Sequence, residues 1–239
     1  GFDLFNYLLT HADVRLFASR GLMQDMQRSP LDCLVPNGLD TGRFKPLDMS
    51  TSRDSMALPH NTLLVGYFGS MEPDRGVGDL IDAVSLLRAR NMSVQLILGG
   101  KLSSELNIHN PAVRYLGDIP YDKMPMALAA CDLLAIPYRR STFMDAGASN
   151  KIAEAIACRR PIVATRTPNL LTNFPEQSKQ LDGLLAEPNN PESLAHSIQA
   201  QSQLQVLVDL PTNMSWQDIA SDTINRLSGN EYCTRRSIT

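Results

Sequence analysis

Short apolar runs alternate with amphipathic stretches along most of the chain. The clearest run, Leu-Leu-Val-Gly-Tyr-Phe at residues 63–68, stops at Gly69 and is typical of a fully buried parallel strand. The next stretch has apolar residues at helical spacing, at Val77, Leu80, Ile81, Val84 and Leu87. Further short strands are predicted at residues 94–98, 113–116, 133–136, 162–164 and 182–185. This alternation predicts an α/β fold with a parallel six-stranded sheet covered by helices on both faces.

Residues 1–36 do not fit this alternation. Residues 14–18 and 31–35 predict two short strands, and Ser19 can cap a helix over residues 20–28. Two short strands and one helix are too little to close a core, so we interpret this segment as the tail of a domain whose earlier part is absent. The alternative is an N-terminal extension of the main sheet.

Residues 37–62 predict an interdomain linker. They begin within a Pro-Asn-Gly turn, and the polar stretch that follows shows no clear periodicity. The main domain then spans residues 63–228 and closes with two amphipathic helices. The polar residues 229–239 predict a frayed tail.

Composition and charge narrow the possible functions. The 239 residues are 43% hydrophobic and 20% charged, as in an ordinary globular protein, and the formal net charge is −3. This charge argues against nucleic acid as the main partner, because phosphate-backbone binding needs a surplus of Lys and Arg. No apolar run approaches the roughly 18–20 residues that span a bilayer, so we expect neither a membrane span nor a signal peptide in this sequence. The four cysteines form no CxxC pair and the histidines lack metal-ligand spacing, so we expect a cytoplasmic protein without a metal site.

Polar clusters follow three of the predicted strands. They lie at residues 69–75, at Asp118 and at residues 138–150. In open parallel sheets, ligands bind outside the carboxyl ends of the strands. The sequence therefore predicts a ligand site at this edge of the sheet.

The stretch at residues 149–165 predicts a short helix followed by a buried strand. Asn150 and Glu154 are four residues apart and share one face near the start of the helix. Free N–H groups and partial positive charge at a helix N-terminus suit an anion. A carboxylate and an amide beside them suit sugar hydroxyls and phosphate. The alternative is an ordinary exposed pair between Lys151 and Glu154.

Eight short motifs occur in order along residues 13–228. They are residues 35–40 (Val-Pro-Asn-Gly-Leu-Asp), 65–70 (Val-Gly-Tyr-Phe-Gly-Ser), 116–120 (Leu-Gly-Asp-Ile-Pro), 130–134 (Ala-Cys-Asp-Leu-Leu), 149–165, 182–188, 191–195 and 215–216. Each is weak alone, but in this order they resemble the C-terminal, donor-binding half of retaining GT-B glycosyltransferases of the glycosyl transferases group 1 type. The resemblance implies two Rossmann-like, doubly wound domains with the active site between them. The C-terminal domain would hold the nucleotide-sugar donor, and the N-terminal domain would hold the acceptor.

The resemblance also implies roles for individual residues. Glu154 matches the carboxylate that accepts hydrogen bonds from the ribose hydroxyls, and Arg75 matches the cation that holds the diphosphate. Gly69 would let the backbone approach the phosphates. Ile119 and its neighbours would contact the base, and Ala148, Ser149 and Asn150 would offer N–H groups to the β-phosphate. The full expected donor-binding set is Gly69, Ser70, Arg75, Asp118, Ile119, Ala148, Ser149, Asn150, Lys151 and Glu154.

Three positions depart from the family pattern. Ala146 stands where a glutamate is common, and Asp145 could replace it only with a shifted loop, so Asp145 and Arg75 are the catalytic candidates. Ser70 stands where an arginine is common, and Lys151 or the pair Arg139 and Arg140 could compensate. Arg159 stands where a glycine ends the helix, so either Arg159 is strained or the helix ends differently.

The expected reaction is retaining hexosyl transfer from a nucleoside diphosphate sugar, without metal or cofactor, in polysaccharide or cell-envelope glycan synthesis. The other partner would be a glycan or lipid-linked acceptor held by the missing domain, with peripheral membrane association of the full protein left open. The chain alone would bind donor without transferring it. Alternatives are a non-catalytic nucleotide-sugar-binding domain and a sugar epimerase of the same fold. An NAD-dependent oxidoreductase is disfavoured, because the turn after the first strand lacks Gly-x-Gly-x-x-Gly.

Overall fold

The computed structural model describes residues 3–12, 14–26 and 32–228. Helix α1 (Leu4–His11) comes first, and then strand β1 (Arg15–Phe17), helix α2 (Arg20–Asp25) and strand β2 (Asp32–Leu34) form a small unit. The two strands pair in parallel with each other and not with the main sheet. Within the described residues, these two strands therefore do not extend the main sheet.

Helix α2 starts where the sequence predicts, because the Ser19 hydroxyl accepts a hydrogen bond from the Leu22 N–H at 3.0 Å. It ends at Asp25, earlier than predicted. The predicted end at Arg28 and the start of the second strand at Leu31 lie outside the described residues.

The main sheet of the described chain contains five parallel strands in the order β5-β4-β3-β6-β7. All neighbouring strands are parallel, and most of their side chains are buried on both faces, as the continuous apolar runs predict. The strands are β3 (Leu63–Phe68), β4 (Val94–Gly99), β5 (Val113–Tyr115), β6 (Leu133–Ile136) and β7 (Ile162–Ala164). The predicted α/β class with a parallel sheet is confirmed.

Helices cover the two faces of this sheet. Between the strands lie α3 (Met49–Ser55), α4 (Val77–Ala89), α5 (Met124–Ala129), α6 (Thr142–Ala146) and α7 (Asn150–Ala157), followed by α8 (Pro168–Asn173), α9 (Pro175–Gln180), α10 (Pro191–Leu204) and α11 (Trp216–Ser228). Helices α4 and α10 pack together, and α10 also contacts β6 and β7. Helix α4 connects β3 to β4 in one direction along the sheet, whereas α5 and α7 connect β5 to β6 and β6 to β7 in the opposite direction. Because such crossovers are right-handed, α5 and α7 lie on the face opposite α4. Helix α3 packs on α5 there.

The sixth predicted strand is wrong. Residues Asp182–Leu184 form a 3₁₀ turn, and only Ala186 pairs with the sheet edge, through one parallel bridge to Thr165. The segment begins with Asp-Gly, which favours a turn over a strand. The Arg166 guanidinium holds this turn, since it donates to the Asp182 carboxylate at 2.7 Å and to the Asp182 carbonyl at 2.8 Å.

The segment 37–62 is more ordered than its lack of periodicity suggests. Helix α3 lies within it, capped by Asp48, whose carboxylate accepts from the Thr51 N–H at 2.8 Å. Arg53 is only 5% exposed and forms an ion pair with Asp132 at 2.6 Å. This contact joins the segment to the start of β6, while its role as an interdomain linker stays a prediction.

Helix α7 ends in a Schellman motif with Arg159 in the left-handed conformation, at φ +54°. The Arg159 N–H donates to the Ile156 carbonyl at 2.9 Å, and the Arg160 N–H donates to the Ala155 carbonyl at 3.1 Å. Of the two outcomes that the sequence left open, the structure shows the strained arginine. Its ion pair with Asp209 is exposed and contributes little.

Substituting Arg159→Gly should raise the free energy of unfolding by about 1 kcal/mol, because glycine adopts positive φ without steric cost. Urea denaturation of both forms measures the difference. The matched control is Arg159→Ala, which loses the same ion pair but keeps a β-carbon in the left-handed region. If the alanine variant gains as much as the glycine variant, strain at this residue is not the cause.

The described cysteines Cys33, Cys131 and Cys158 are buried free thiols, and Cys233 lies outside the described residues. Within the described ranges, no cluster of three His, Cys, Asp or Glu side chains could hold a metal ion. None of the helices in that part of the chain is long and apolar enough to cross a bilayer.

Candidate functional site

The loop after β3 is fixed by close backbone approaches. Gly76 has φ +68°, and a β-carbon placed on it would lie 1.8 Å from the Pro137 carbonyl oxygen, which follows β6. The Tyr67 hydroxyl donates to the Ser70 carbonyl at 2.7 Å. Only glycine fits at Gly76, so the loop is held against the neighbouring strand end.

This loop places Arg75 beside the segment that leaves β6. The Arg75 guanidinium carbon lies 5.5 Å from the Tyr138 ring centroid and 5.9 Å from that of Phe143. Its nearest carboxylate is Asp74, at 4.0 Å. The Arg75 Nε is buried and has no hydrogen-bond partner in the described part of the chain. Arg75 is thus held by aromatic faces and is not neutralised by a close ion pair.

The N-terminus of α7 adjoins this group. Ser149 occupies the N-cap position, but its hydroxyl is hydrogen-bonded to the Tyr138 hydroxyl at 2.7 Å and does not cap the helix. Across the ranges that the structure describes, the N–H groups of Ala148 and Ser149 make no hydrogen bond. The start of the helix therefore keeps free N–H groups of the kind that bind anions.

Lys151 lies directly on Gly69. A β-carbon placed on Gly69 would be 2.4 Å from the Lys151 Cε and 2.7 Å from its Nζ. The Nζ also lies 5.8 Å from the Tyr67 ring centroid. No carboxylate of the described residues pairs with Lys151. Gly69 therefore provides the space in which a free ammonium group rests between β3 and α7.

Glu154 lies one turn further along α7. It is half-buried and makes no hydrogen bond or ion pair with any residue that the structure describes. Burial raises the pKa of Glu154 above its ordinary value of 4.5, and the nearby Lys151 charge partly opposes that shift. Burial also raises the pKa of Tyr121, with Glu154 as the next cause, so the two side chains are electrostatic neighbours. The Tyr121 ring lies under the Arg43 guanidinium carbon at 4.8 Å.

Two of the three cations offered as replacements for the missing arginine are already paired. Arg139 makes two hydrogen bonds to the Asp79 carboxylate, at 2.7 and 2.6 Å. Arg140 pairs with Asp145 at 2.7 Å. Of these candidates, Lys151 alone has no carboxylate partner among the described residues.

Asp145 and the remaining expected residues are placed as follows. Asp145 keeps its Oδ1 buried and without a partner in the described chain. Ile119 packs against Gly99, where a β-carbon would lie 2.7 Å from the Ile119 Cγ1. Asp118 is exposed on the loop after β5. The Ala148 carbonyl accepts from the Asn37 side chain at 3.2 Å.

The structure thus brings Gly69, Ser70, Arg75, Ser149 and Lys151 into one connected group, with Glu154 next along α7. The sequence pattern did not indicate the two tyrosines, Tyr67 and Tyr138, whose hydroxyls bond to the loops of this group. Nor did it indicate Gly100, on which a β-carbon would lie 2.5 Å from the Gly69 carbonyl oxygen. The Gly-Gly pair that ends β4 is the one sequence signal that could have indicated this close approach.

The sheet and its strand-end loops are those of the C-terminal half of a GT-B glycosyltransferase fold. The chain belongs to the family described as Glycosyl transferases group 1, whose sequence pattern matches residues 62–202.

Named relatives agree with this assignment. The chain is 32% identical over 156 residues to a D-inositol 3-phosphate glycosyltransferase of Corynebacterium jeikeium, covering 57% of this chain and 36% of the relative. It is 28% identical over 172 residues to a GDP-mannose-dependent monoacylated alpha-(1-6)-phosphatidylinositol monomannoside mannosyltransferase of Corynebacterium glutamicum, covering 67% of this chain and 44% of the relative. The chain therefore spans less than half the length of these curated relatives.

Solved structures share the fold. HepE of Anabaena, in complex with UDP and glucose, superimposes with a TM-score of 0.69 at 22% identity, over 94% of this chain and 65% of that one. Sucrose-phosphate synthase of Thermosynechococcus elongatus gives a TM-score of 0.67 at 18% identity, over 92% of this chain and 59% of that one. At these identities the likeness shows the fold alone.

Proposed function

We propose that this chain is the donor-binding domain of a retaining glycosyltransferase that uses a nucleoside diphosphate sugar. The observation that carries the proposal is Glu154, a half-buried carboxylate without a protein partner among the described residues. Burying such a group is unfavourable unless hydrogen bonds compensate. An ionised carboxylate can accept both hydroxyls of a vicinal diol, so a bound ribose would supply that compensation.

The same edge offers groups for the diphosphate. Arg75 and Lys151 lack close carboxylate partners in the described chain, and the N–H groups at the start of α7 lie beside them. These groups would position the donor and stabilise the negative charge on the leaving diphosphate. Asp145 is the other catalytic candidate. The remaining proposed donor-binding residues are Gly69, Ser70, Asp118, Ile119, Ala148, Ser149 and Asn150.

The names of the relatives support the proposed setting. They include a phosphatidylinositol monomannoside mannosyltransferase and an O-antigen chain mannosyltransferase of Escherichia coli. We therefore place the reaction in polysaccharide or cell-envelope glycan synthesis, in the cytoplasm or at the inner face of a membrane. A glycan or lipid-linked acceptor would bind to a domain that precedes this one.

A calorimetric screen of UDP, GDP, ADP and CMP, with their sugars, tests this proposal. We expect one base to bind, and Glu154→Gln to weaken that nucleotide about tenfold, as expected for the loss of a charge-assisted hydrogen bond. The control Glu176→Gln changes an exposed carboxylate on α9 and should bind as the wild type does. Failure of every nucleotide to bind the wild-type chain contradicts the proposal.

The pH dependence gives a second measure of the same carboxylate. Because burial raises the pKa of Glu154, the group becomes protonated at a higher pH than an ordinary carboxyl as the solution is acidified. Nucleotide affinity should therefore fall as the pH drops toward and below that raised pKa. The Glu154→Gln variant should lose this dependence, and an unchanged profile would exclude Glu154 as its source.

A non-catalytic nucleotide-sugar-binding domain is the second candidate. It is favoured by Ala146, which stands where the family often has a carboxylate, and by the ion pair that holds Asp145 to Arg140. A protein that contains both domains and binds the donor, yet neither transfers nor hydrolyses it, would support this candidate over the enzyme.

A further inference from the structure

Segment 144–148 comprises the last turn of α6 and the first residues of the connection to α7, and four of its backbone carbonyls accept hydrogen bonds from side chains elsewhere in the chain. The donors are side-chain amides from α8 and from the segment after β2, and one hydroxyl from the cap of α2. The bonds are Asn169 Nδ2 to the Met144 carbonyl at 2.9 Å, Asn173 Nδ2 to the Gly147 carbonyl at 2.9 Å, Asn37 Nδ2 to the Ala148 carbonyl at 3.2 Å, and Ser19 Oγ to the Ala146 carbonyl.

Two of these bonds fix the direction of the N–H groups of Ala148 and Ser149. In a planar trans peptide, the C=O of one residue and the N–H of the next point in opposite directions. The Gly147 carbonyl faces Asn173, so the Ala148 N–H faces away from it. The Ala148 carbonyl faces Asn37, so the Ser149 N–H points away from Asn37. Both N–H groups are without a hydrogen bond in the described structure.

Asn173 has a second function in this arrangement. Its Oδ1 accepts from the Arg20 N–H at 2.9 Å, at the first residue of α2. Its Nδ2 also donates to the Asn169 carbonyl at 2.9 Å, besides the Gly147 carbonyl. One side chain therefore connects the start of α2, helix α8 and segment 144–148. A change in the position of α2 would be transmitted to this segment through Asn173.

We infer that Asn173 and Asn37 are positioning residues for a bound diphosphate. They orient the Ala148 and Ser149 N–H groups, and Asn173 links that orientation to the N-terminal segment. The inference rests on the proposed donor-binding function and adds how its anion site is shaped. Neither asparagine touches the ligand; each acts through the peptide plane whose carbonyl it holds.

The test compares ligands with and without phosphates. Affinities for UDP, GDP and ADP, and for uridine, guanosine and adenosine by competition, are measured for wild type, Asn173→Ala and Asn37→Ala. We expect each variant to weaken the preferred nucleoside diphosphate about fivefold, as for one lost hydrogen bond, and to change the matching nucleoside less than twofold. Asn225→Ala, at an exposed position of α11, is the matched control and should change neither affinity.

Asn173→Asp separates positioning from packing. The carboxylate can still accept from the Arg20 N–H but cannot donate to the Gly147 carbonyl, so diphosphate affinity should fall at least as far as in the alanine variant. Equal losses for diphosphate and nucleoside, or wild-type affinity in both Asn173→Asp and Asn37→Ala, would overturn the inference. If the wild type binds no nucleoside diphosphate at all, the proposed function itself fails. If Asn173→Ala does not fold, Asn37→Ala decides the outcome.

Discussion

Replacing Arg53 with methionine should lower the free energy of unfolding by about 3–5 kcal/mol, the usual cost of removing one partner from a buried ion pair. Arg53 is 5% exposed and donates to three acceptors: the Ala130 carbonyl at 2.9 Å, the His60 carbonyl at 3.1 Å and the Asp132 carboxylate at 2.6 Å. Methionine fills a similar volume but satisfies none of them. Among the described residues, the Asp132 carboxylate would keep only the bond from the Leu64 N–H, at 2.7 Å.

Two further variants separate charge from packing in this prediction. Adding Asp132→Asn to Arg53→Met removes the unpaired charge while keeping an acceptor for the Leu64 N–H, so part of the lost stability should return. Arg90→Met breaks an exposed pair with Glu192 and should cost less than about 1 kcal/mol. Urea denaturation gives all three values. Equal losses for Arg53→Met and Arg90→Met would mean that burial does not strengthen the Arg53 pair.

The Arg53 pair also shows which parts of the fold the sequence could not reveal. The strands β3, β4, β6 and β7 are bounded by local signals, either glycine, proline or a polar turn, and their limits follow from the pattern. Arg53 and its acceptors Ala130 and Asp132 are 77 and 79 residues apart in sequence. The polar residues 37–62 have no periodicity, so their sequence does not indicate that Arg53 is buried beside the start of β6.

The sixth strand failed for a related reason. Only the two leucines of residues 182–185 suggest a strand, and the preceding Asp-Gly favours a turn. The Asp182 carbonyl is hydrogen-bonded to Arg166, sixteen residues earlier, and the local pattern does not show this contact.

The sequence could predict at which edge of the sheet the candidate site lies. It could not predict which cations there lack a carboxylate partner. The rule that ligands bind at the carboxyl ends of parallel strands predicts that Gly69 and Arg75 lie at one sheet edge with the start of α7. The structure places them there, with Glu154 further along that helix. Arg139 and Arg140 looked equivalent to Lys151 as anion-binding cations. Their pairing with Asp79 and Asp145 depends on geometry across loops, and only the structure distinguishes them.

That distinction leads to the second large expected effect, the loss of diphosphate affinity when Arg75 and Lys151, which lack a close carboxylate partner in the described chain, are both replaced. Lys151→Met and Arg75→Met should each weaken the preferred nucleoside diphosphate about tenfold, and together about 100-fold, as for two charge-assisted contacts. The matching nucleoside should bind almost as before. Neither substitution should unfold the protein, because neither side chain has a close ion-pair partner within the described residues.

Arg140→Met is the matched control for these two substitutions, since it removes a cation at the same sheet edge that is already paired with Asp145. It should change diphosphate affinity less than twofold. Raising the salt concentration should weaken diphosphate binding by the wild type more than by the double variant, because fewer charges remain to be screened. Wild-type affinity in Lys151→Met together with a large loss in Arg140→Met would reverse the assignment of the compensating cation.

The space above Gly69 provides an independent check on Lys151. If Gly69 is needed because Lys151 rests on it, Gly69→Ala should displace the ammonium group and weaken diphosphate binding in the wild-type background. In the Lys151→Met background the same substitution should cost much less, since the displaced charge is already gone. A double-mutant cycle measures this coupling directly. Additive losses would instead mean that Gly69 serves the close approach of its own backbone to the phosphates, as the family pattern implies, and that Lys151 acts separately.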